Sequence, residues 1–471
     1  MHEPAGVAPS VEQLATWVHD ARQRVIDLVE DLSDEQLIGP LLPTVNPLLW
    51  EIGHLAWFQE LFVLRRTCGE EPILPQADAL WDSGRVPHDT RWLLALPPRA
   101  DTLAYMREVR DRVIDRILGR DATDVTRAFA HYTVFHEDTH TEAITYTRQT
   151  LGYPPPNLPG LSGTVPADAY DAGALPGDVE VPGATFLLGA TRAQPFAYDN
   201  EKWAHPVAVE DFAISRAPVT QEQFAAFVDD GGYERAALWD AAGWAWRQAA
   251  GVIAPVYWRH RREGDALKQR SGSAQGDALK QRSGSAQGDA LKQRSGSAQH
   301  WVRRHFDVWR PLEPHRPVGY LSWYEADAYC RWSGRRLPTE AEWELAATGG
   351  VTPKPAYPWG DDVEPEGRAN LEWRVGDTVD VAALDGGDSP VGCRQMAGNV
   401  WEWTASTFGP YPNFERDAYA DNSEPFFGRR KVLRGGAWMT RPRYLRTTLR
   451  NYFEPDEREN LAGLRTCPAR E

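Results

Sequence analysis

The sequence contains few cysteines and no long hydrophobic run. Its four cysteines are widely spaced and include no C-x-x-C pair: Cys68, Cys330, Cys393 and Cys467. This pattern excludes a disulfide framework or a thiolate zinc site and is typical of a reducing compartment. No stretch of about 18 apolar residues occurs, and the N-terminal segment resembles an acidic amphipathic helix rather than a signal peptide. We therefore expect a cytoplasmic protein with no membrane partner.

Positive charge is also scarce. Lys and Arg total 51 against 67 Asp and Glu, which gives a formal net charge of −16 over 471 residues. A surface of this sign repels the phosphate backbone, so a nucleic-acid-binding function is excluded. The length is sufficient for two or three domains, each with its own core. A cytoplasmic enzyme is therefore the default expectation from composition.

Helical periodicity dominates the first third of the chain. Apolar residues recur at helical spacing in four segments, at about 10–33, 46–67, 100–119 and 123–151. Gly152, followed by three prolines, ends the fourth segment. The pattern predicts a four-helix bundle over residues 1–156. A stretch rich in Pro, Gly, Ala and Asp at 157–177 predicts a linker to a second domain.

The second domain, residues 178–471, has a different pattern. Short alternating runs such as VEVPGATFLLGA are separated by glycine breaks, long irregular connections and short helices that include TQEQFAAFVDD and WYEADAYCRW. This predicts a loop-rich mixed domain and an α+β fold for the whole chain. Residues 264–299 are three identical copies of GDALKQRSGSAQ. Because one Leu per copy cannot bury a solenoid core, we interpret the tract as a disordered or weakly helical expansion of a surface loop, without a function.

The most informative motif lies in the fourth helical segment, where residues 131–151 read HYTVFHEDTHTEAITYTRQTL. His136 and His140 stand four apart, so both imidazoles lie on one helix face and can bind one ion. His54, among apolar residues of the second segment, can supply a third nitrogen from a neighbouring helix. At about 100° per residue Glu142 lies off this face, so we interpret it as a supporting or structural residue. The alternative is that the histidines only pack within the bundle.

Three histidine ligands would leave coordination positions open. Structural zinc sites close with four protein ligands and usually include thiolates, whereas catalytic sites keep positions for water or substrate. The motif therefore indicates a catalytic metal rather than a structural one. Imidazole ligands do not by themselves distinguish iron(II) from zinc.

Five strings in the second domain carry a family resemblance. They are GRRLPTEAEWELAA at 334–347, YPWGDD at 357–362, MAGNVWEWTAS at 396–406, VLRGGAW at 432–438 and LAGLRTC at 461–467. Together they resemble the formylglycine-generating-enzyme fold, a C-type-lectin-like mixed domain. The first domain, with its histidine motif, resembles a DinB-type bundle. The combination resembles the ergothioneine-pathway sulfoxide synthases and covers nearly the whole chain apart from the repeats.

This resemblance implies an iron(II) enzyme that uses dioxygen to join a sulfur or selenium donor to the imidazole of hercynine, Nα-trimethylhistidine. His54, His136 and His140 would be the iron ligands. Tyr419 falls at the position of a tyrosine that donates a proton during oxygen reduction in the family. The alternative for Tyr419 is an ordinary loop residue.

Contacts with hercynine are implied at three further positions. Asn451 and Tyr452 fall where family members contact hercynine, and Thr139 stands where some members carry a glutamine. A quaternary ammonium offers no hydrogen bond and is held by aromatic faces and carboxylate fields, which suits a tyrosine. Core packing is the alternative for Tyr452.

The binding clamp for γ-glutamylcysteine is missing. Members that use this donor hold it with arginines and an aspartate, as bidentate charge pairing requires. The corresponding residues here are His88, Phe453 and Glu457. An aromatic ring and a glutamate cannot replace the clamp. Three nearby arginines remain candidates for holding an anionic group: Arg91, Arg450 and Arg458.

Two donors are compatible with this loss, a selenosugar and free cysteine. The strings NPLLWEIGHLAWFQE, HDTRW and HEDTHTEA most resemble the selenoneine synthases, a similar group that uses a selenosugar. A sugar needs hydroxyl-binding groups rather than a carboxylate fork. We therefore expect carbon–selenium bond formation, with carbon–sulfur bond formation from cysteine or γ-glutamylcysteine as the alternative.

Three other classes are weighed against this hypothesis. A formylglycine-generating oxidase would need a pair of reactive cysteines in the C-terminal arginine-rich segment, and residues 441–460 contain none. A zinc-dependent thiol transferase on the DinB bundle would keep three histidines but would not need Tyr419 or the second domain. A non-catalytic binding protein would have no reason to keep three inward imidazoles.

Overall fold

The computed structural model describes residues 8–158, 171–262, 300–362, 366–419 and 422–470. The repeats at 264–299 and most of the expected linker at 157–177 lie outside the described residues. Elsewhere, helices fill the first third of the chain, and short strands with long connections dominate the remainder. The α+β fold expected from the sequence is confirmed.

The N-terminal helices follow the predicted periodic segments. They are α1 (Val11–Asp27), α2 (Asp34–Ile38), α3 (Leu48–Gln59), α4 (Arg66–Cys68), α5 (Ala77–Trp81), α6 (Arg99–Leu118) and α7 (Asp124–Leu151). A π-helical turn at Glu60–Arg65 joins α3 to α4, so the second predicted segment is one nearly continuous helix. Ser10 Oγ accepts a hydrogen bond from Gln13 N at 3.2 Å and starts α1. Gly152, in the left-handed region at φ 67°, ends α7.

The four long segments enclose one apolar core. Helices α1 and α3 each pack against both α6 and α7. Fully buried aliphatic side chains come from all four: Val18, Val25, Ile52, Val109 and Ile144. Each such side chain stabilises the fold by roughly 1.5–3 kcal/mol. None of the helices in the described ranges combines the length and hydropathy needed to span a bilayer.

Short strands and helices build the second domain. The strands are β1 (Asp178–Val181), β2 (Ala184–Leu188), β3 (His205–Val209), β4 (Phe212–Ser215), β5 (Trp258–His260), β6 (Trp301–His305), β7 (Val308–Pro311), β8 (Arg335–Arg336), β9 (Trp401–Thr407), β10 (Lys431–Arg434), β11 (Asn451–Phe453), β12 (Ala462–Leu464) and β13 (Cys467–Pro468). The helices are α8 (Gln221–Asp229), α9 (Ala241–Ala250), α10 (Trp323–Trp332) and α11 (Glu340–Thr348). The main sheet has the order β11-β10-β9-β12, in which β12 runs parallel to β9 and the other pairs are antiparallel.

A smaller sheet, of order β5-β6-β7, brackets the repeat tract. Strands β5 and β6 are antiparallel, and His260 pairs with Trp301. The backbone N–H of Arg261 donates to the carbonyl of His300 at 2.8 Å. The two chain ends that flank the repeats are therefore held side by side.

Helix α7 belongs to both domains. While one side packs in the bundle, its other side carries polar residues that bond to the second domain. Asp138 accepts two hydrogen bonds from Arg443, each 2.8 Å long. Trp373 Nε1 donates to Thr145 Oγ1 at 3.1 Å. The histidine motif of α7 consequently lies at the boundary between the two domains.

Candidate metal centre

His54 projects from α3 and is buried, with 2% of its surface exposed. Its Nδ1 lies 2.8 Å from the carbonyl oxygen of Trp81 at the end of α5. Because a carbonyl can only accept, Nδ1 carries the proton and Nε2 keeps its lone pair. The ring stacks on Trp50, with 5.0 Å between centroids. These contacts fix both the tautomer and the orientation of the imidazole.

His136 and His140 lie one turn apart on α7 and face His54. Their Nε2 atoms are 3.2 Å apart. The Nδ1 of His140 donates to the carboxylate of Glu51 on α3, which leaves its Nε2 directed toward the other two histidines. The Phe58 ring stacks on His136, with 3.6 Å between centroids.

One nitrogen from each imidazole lies within 4.8 Å of the others. Nitrogens bound at about 2.1 Å to one ion at right angles lie about 3 Å apart, which the His136–His140 separation matches. Burial lowers the pKa of His54 to about 3, and burial also lowers the pKa of His136 well below its usual value. Neutral imidazoles are the form that binds metal. The residues present therefore fit a divalent ion with three nitrogen ligands.

Glu51 supports the cluster and was not predicted from the sequence. It is buried, and its second oxygen accepts from Asn46 Nδ2 at 2.6 Å. Burial alone would raise the pKa of Glu51, but the interaction with His140 outweighs burial and lowers the pKa to about 2. An ionised carboxylate behind a histidine orients the ring and raises its basicity as a ligand. The available signal is that Glu51 precedes His54 by three residues and so shares its helix face.

Tyr419 lies beside the cluster. Its ring is edge-on to His136 at 6.1 Å and to Phe58 at 5.1 Å between centroids. Its hydroxyl is 2.9 Å from Ser83 Oγ. The structure thus brings Tyr419 to the histidines from the second domain, while its catalytic role stays a prediction. Ser83, in the loop after α5, carries no sequence signal that would have singled it out.

A cavity of about 180 Å³ adjoins the cluster at His140. It is lined by Thr139, His140, Glu142, Ala143, Tyr146, Trp401, Met439, Tyr444, Asn451, Phe453, Asn460 and Leu461. The structure therefore brings Thr139 and Asn451 together with a predicted metal ligand. The wall combines four aromatic rings with three aliphatic and five polar side chains, as in many small-molecule sites.

Glu142 forms part of this wall and lies outside the histidine cluster. Its carboxylate accepts hydrogen bonds from Trp401 Nε1 at 2.8 Å and from Thr440 Oγ1 at 2.6 Å. Burial raises the pKa of Glu142 to about 7. Both bonds reach across the domain boundary, so Glu142 ties α7 to the main sheet.

Two predicted substrate residues point away from the cavity. Tyr452 stacks on Phe408 with 3.8 Å between centroids, and its hydroxyl donates to the carbonyl of Asn422. Arg450 is buried, and its Nε donates to Glu340 at 2.7 Å. Neither residue lines the cavity beside His140, and their substrate contacts stay predictions.

The other two arginines also have protein partners. Arg91 lies over the Trp50 ring at 3.8 Å and donates to Asn46 Oδ1 at 2.6 Å. Because Trp50 stacks on His54, Arg91 is one ring removed from the cluster. Arg458 lies 5.4 Å from the centroid of the Trp246 ring and does not line the cavity. Arg91 is thus the nearer candidate for an anionic group.

The residues at the missing clamp positions are also separated. Phe453 lines the cavity, whereas the Nε2 of His88 lies 2.8 Å from the carbonyl of Val45. Burial raises the pKa of Glu457 to about 7. No paired cationic fork forms from these three residues.

Two family models match the chain. The sulfatase-modifying factor enzyme 1-like domain matches residues 165–470, and the DinB superfamily matches residues 18–145. Fold and site therefore define a protein in which a DinB bundle carrying three histidines is joined to a sulfatase-modifying-factor domain.

Two relatives match the chain over nearly its whole length. Hercynine oxygenase of Mycolicibacterium thermoresistibile is 35% identical over 98% of this chain and 96% of its own length. Hercynine oxygenase of Mycolicibacterium smegmatis is 32% identical over 96% of this chain and 98% of its own length. The formylglycine-generating enzyme of Streptomyces coelicolor is 30% identical but covers 61% of this chain. The chain belongs to the hercynine oxygenase family of oxidoreductases.

Proposed function

We propose that the protein is an iron(II)- and dioxygen-dependent enzyme that joins a selenium or sulfur donor to the imidazole of hercynine. The name shared by its full-length relatives supports hercynine as one substrate. The observation that carries the proposal is that the histidine cluster opens onto a cavity with four aromatic rings in its wall, since His140 belongs to both. Joining an imidazole carbon to a thiol or selenol removes two hydrogen atoms and two electrons. Dioxygen accepts them and leaves as hydrogen peroxide, or as water when its other oxygen atom is transferred to give the sulfoxide or selenoxide.

His54, His136 and His140 would hold the iron. Bound iron would activate dioxygen and act as a template for the two substrates at the open positions. The chain keeps the ligand nitrogens available, because Trp81 and Glu51 accept the Nδ1 protons of His54 and His140. Aromatic packing by Trp50 and Phe58 excludes water from the bundle side of the cluster.

Hercynine would occupy the cavity beside His140. Its trimethylammonium group would lie against the aromatic faces of Tyr146, Trp401 and Tyr444, where cation–π attraction replaces hydrogen bonding. Asn451 Oδ1 already accepts from the backbone N–H of Tyr452 at 2.8 Å, which leaves Nδ2 as a donor to the substrate. The imidazole of the substrate would then point toward the cluster.

Tyr419 would hold a proton at its phenol oxygen next to the reacting groups. The hydrogen bond to Ser83 Oγ orients that hydroxyl. The ring is kept edge-on to Phe58 and His136, so the phenol has few alternative positions. A positioned acid of this kind typically contributes about 100- to 10,000-fold to a proton-coupled step.

A selenosugar is the donor we favour. The positions of the γ-glutamylcysteine clamp hold His88, Phe453 and Glu457, which cannot supply the bidentate charge pairing that this donor requires. A selenosugar donor would place the enzyme in selenoneine biosynthesis. Hercynine sulfoxide formation from cysteine or γ-glutamylcysteine, in ergothioneine biosynthesis, is the alternative.

Donor competition with reconstituted enzyme tests the proposal. The protein is loaded with iron(II) without oxygen and then given air, hercynine and one donor: a selenosugar, cysteine or γ-glutamylcysteine. Oxygen uptake and product masses are measured, with zinc-loaded enzyme and His136→Ala as matched controls. We expect a selenium adduct from the selenosugar and none from the thiols.

Other outcomes separate the alternatives. A sulfur adduct from cysteine, with none from the selenosugar, would assign the protein to sulfoxide synthesis. Equal thiol transfer by the zinc-loaded enzyme without oxygen uptake would indicate a DinB-type transferase. No oxygen uptake with any donor would overturn the proposed function.

A further inference from the structure

One buried side chain on the cavity wall has no hydrogen-bond partner. Asn460 is 3% exposed, and neither its Nδ2 nor its Oδ1 has a partner in the described part of the chain. Leaving a buried carboxamide unpaired costs free energy, so native proteins rarely do so without a reason. An amide that lines a cavity and lacks a protein partner is available to a ligand.

Three other polar side chains on the same wall each have at least one hydrogen-bond partner. Glu142 accepts from two side chains, and the Thr139 hydroxyl donates to the carbonyl of His136 at 2.7 Å. Asn451 uses its Oδ1 on a backbone N–H. Among the described residues that line the cavity, Asn460 is the one whose buried polar side-chain atoms have no hydrogen-bond partner.

The backbone around Asn460 is held by the main sheet. Its carbonyl accepts from the N–H of Ala462 at 2.9 Å, and the N–H of Trp401 donates to the carbonyl of Leu461 at 3.0 Å. Strand β12 begins two residues later and pairs in parallel with β9. The carboxamide therefore projects from a bend whose backbone is hydrogen-bonded to the edge of the main sheet.

We propose that Asn460 recognises the zwitterionic end of the amino-acid substrate. Its Nδ2 donates to the α-carboxylate, and its Oδ1 faces the trimethylammonium group. An α-trimethylammonium carboxylate offers one strong acceptor and a cationic surface without a donor, and a carboxamide presents the matching donor and partial negative charge. This assignment rests on the proposed function, because it takes hercynine as the ligand of the cavity.

Two substitutions and two ligands test the assignment. Asn460→Leu keeps the branching and the number of side-chain heavy atoms and removes both polar atoms, whereas Asn460→Asp keeps the shape and adds a negative charge. Hercynine is compared with its decarboxylated analogue, trimethylhistamine. Binding is measured by calorimetry on full-length, iron(II)-loaded enzyme under argon, and thermal unfolding is measured on the same samples.

We expect Asn460→Leu to weaken hercynine binding about tenfold or more, the usual loss for a hydrogen bond to a charged group. Trimethylhistamine binding should change less than about threefold, since the lost donor serves the carboxylate. Asn460→Asp should bind hercynine more weakly than Asn460→Leu and should bind trimethylhistamine more tightly than the native enzyme. In turnover, KM for hercynine should rise while kcat is retained.

Unfolding distinguishes a ligand contact from a structural role. Removing an unpaired buried amide should leave the unfolding midpoint of the ligand-free enzyme unchanged or raise it, while the shift produced by hercynine shrinks. A lower midpoint with equal loss for both ligands would assign Asn460 to the fold and overturn the proposal.

Two further outcomes would overturn it in distinguishable ways. If the native enzyme binds hercynine and Asn460→Leu binds it equally well, Asn460 holds an ordered water only, and the proposed function survives. If the native enzyme binds neither ligand, the proposed function and the Asn460 assignment fail together.

Discussion

The histidine cluster and the neighbouring cavity differ in how their polar atoms are satisfied. In the cluster, the second nitrogens of His54 and His140 already have protein acceptors. In the cavity, Asn460 has no hydrogen-bond partner among the described residues, although Glu142 on the same wall accepts two hydrogen bonds. The cluster is thus held by protein hydrogen bonds, whereas the cavity keeps a carboxamide that we assign to a ligand. Substitutions should separate the two regions accordingly.

The largest expected effect comes from breaking the cluster. His136→Ala removes one of three converging nitrogens, so we expect metal binding and turnover to be lost together. Iron per chain, measured by mass spectrometry after desalting, and oxygen uptake check this. His131→Phe, on the same helix but outside the cluster, is the matched control and should keep its iron. Retention of a full iron equivalent by His136→Ala would contradict the assignment of His136 as a ligand.

Tyr419→Phe should leave the cluster intact and alter the chemistry beside it. We expect unchanged iron content, bond formation slowed by about 100-fold or more, and oxygen use diverted to other products. Product masses and oxygen uptake per adduct measure this. Ser83→Ala should also slow bond formation, but by less. It removes the hydrogen bond that orients the Tyr419 hydroxyl and leaves the hydroxyl itself in place. Unchanged rate and product partitioning in Tyr419→Phe would show that its catalytic assignment is wrong.

Glu51→Gln tests whether the cluster depends on its buried carboxylate. The glutamine can still accept from His140 but lacks the charge, so iron affinity should fall about 10- to 100-fold. Competition with a chelator measures the affinity. Turnover should recover when iron is supplied in excess, which distinguishes weak binding from a damaged site. Equal affinity in the variant would mean that Glu51 is a packing residue.

The smallest effect concerns His131, a buried histidine of α7 outside the cluster. Burial lowers its pKa to about 3, whereas the unfolded chain binds the proton near pH 6.5. Stability supplied by the neutral ring is therefore present above pH 6.5 and is lost as the pH falls toward 3. His131→Phe should remove this dependence. Thermal unfolding of both proteins, compared at pH 7 and pH 5, should show the variant gaining relative stability in acid, and parallel curves would contradict this.

The bundle could be predicted from the sequence because its information is local. Apolar residues recur every three or four positions, and such spacing specifies both a helix and its buried face. The spacing of His136 and His140 on one face is equally local. The structure brings these imidazoles to His54, and their binding of iron stays a prediction.

The supporting residues could not be predicted because their contacts are distant in the chain. Glu51 and His140 are 89 residues apart, and Ser83 and Tyr419 are 336 residues apart. Likewise, only the folded structure shows that the Asn460 carboxamide lines a cavity and has no hydrogen-bond partner among the described residues. The spacing of Glu51 from His54 places it on the same helix face, but no local spacing encodes its contact with His140 or the contact of Ser83 with Tyr419.

Strand geometry explains why neighbouring residues were separated. Successive side chains of a strand point to opposite faces, and Asn451, Tyr452 and Phe453 form β11. Asn451 and Phe453 line the cavity, while Tyr452 packs on Phe408. The side chains of three consecutive residues, which the sequence presents as one motif, therefore lie on two different faces of the sheet.

The pairing of β5 with β6 bears on how the gene can change. Each repeat is twelve residues long, so gain or loss of a whole unit keeps the reading frame. Because the strand pair holds the residues on both sides of the tract together, such a change alters the number of residues between β5 and β6 without separating the two strands. Strains carrying this gene are expected to differ in copy number while the histidine cluster stays constant.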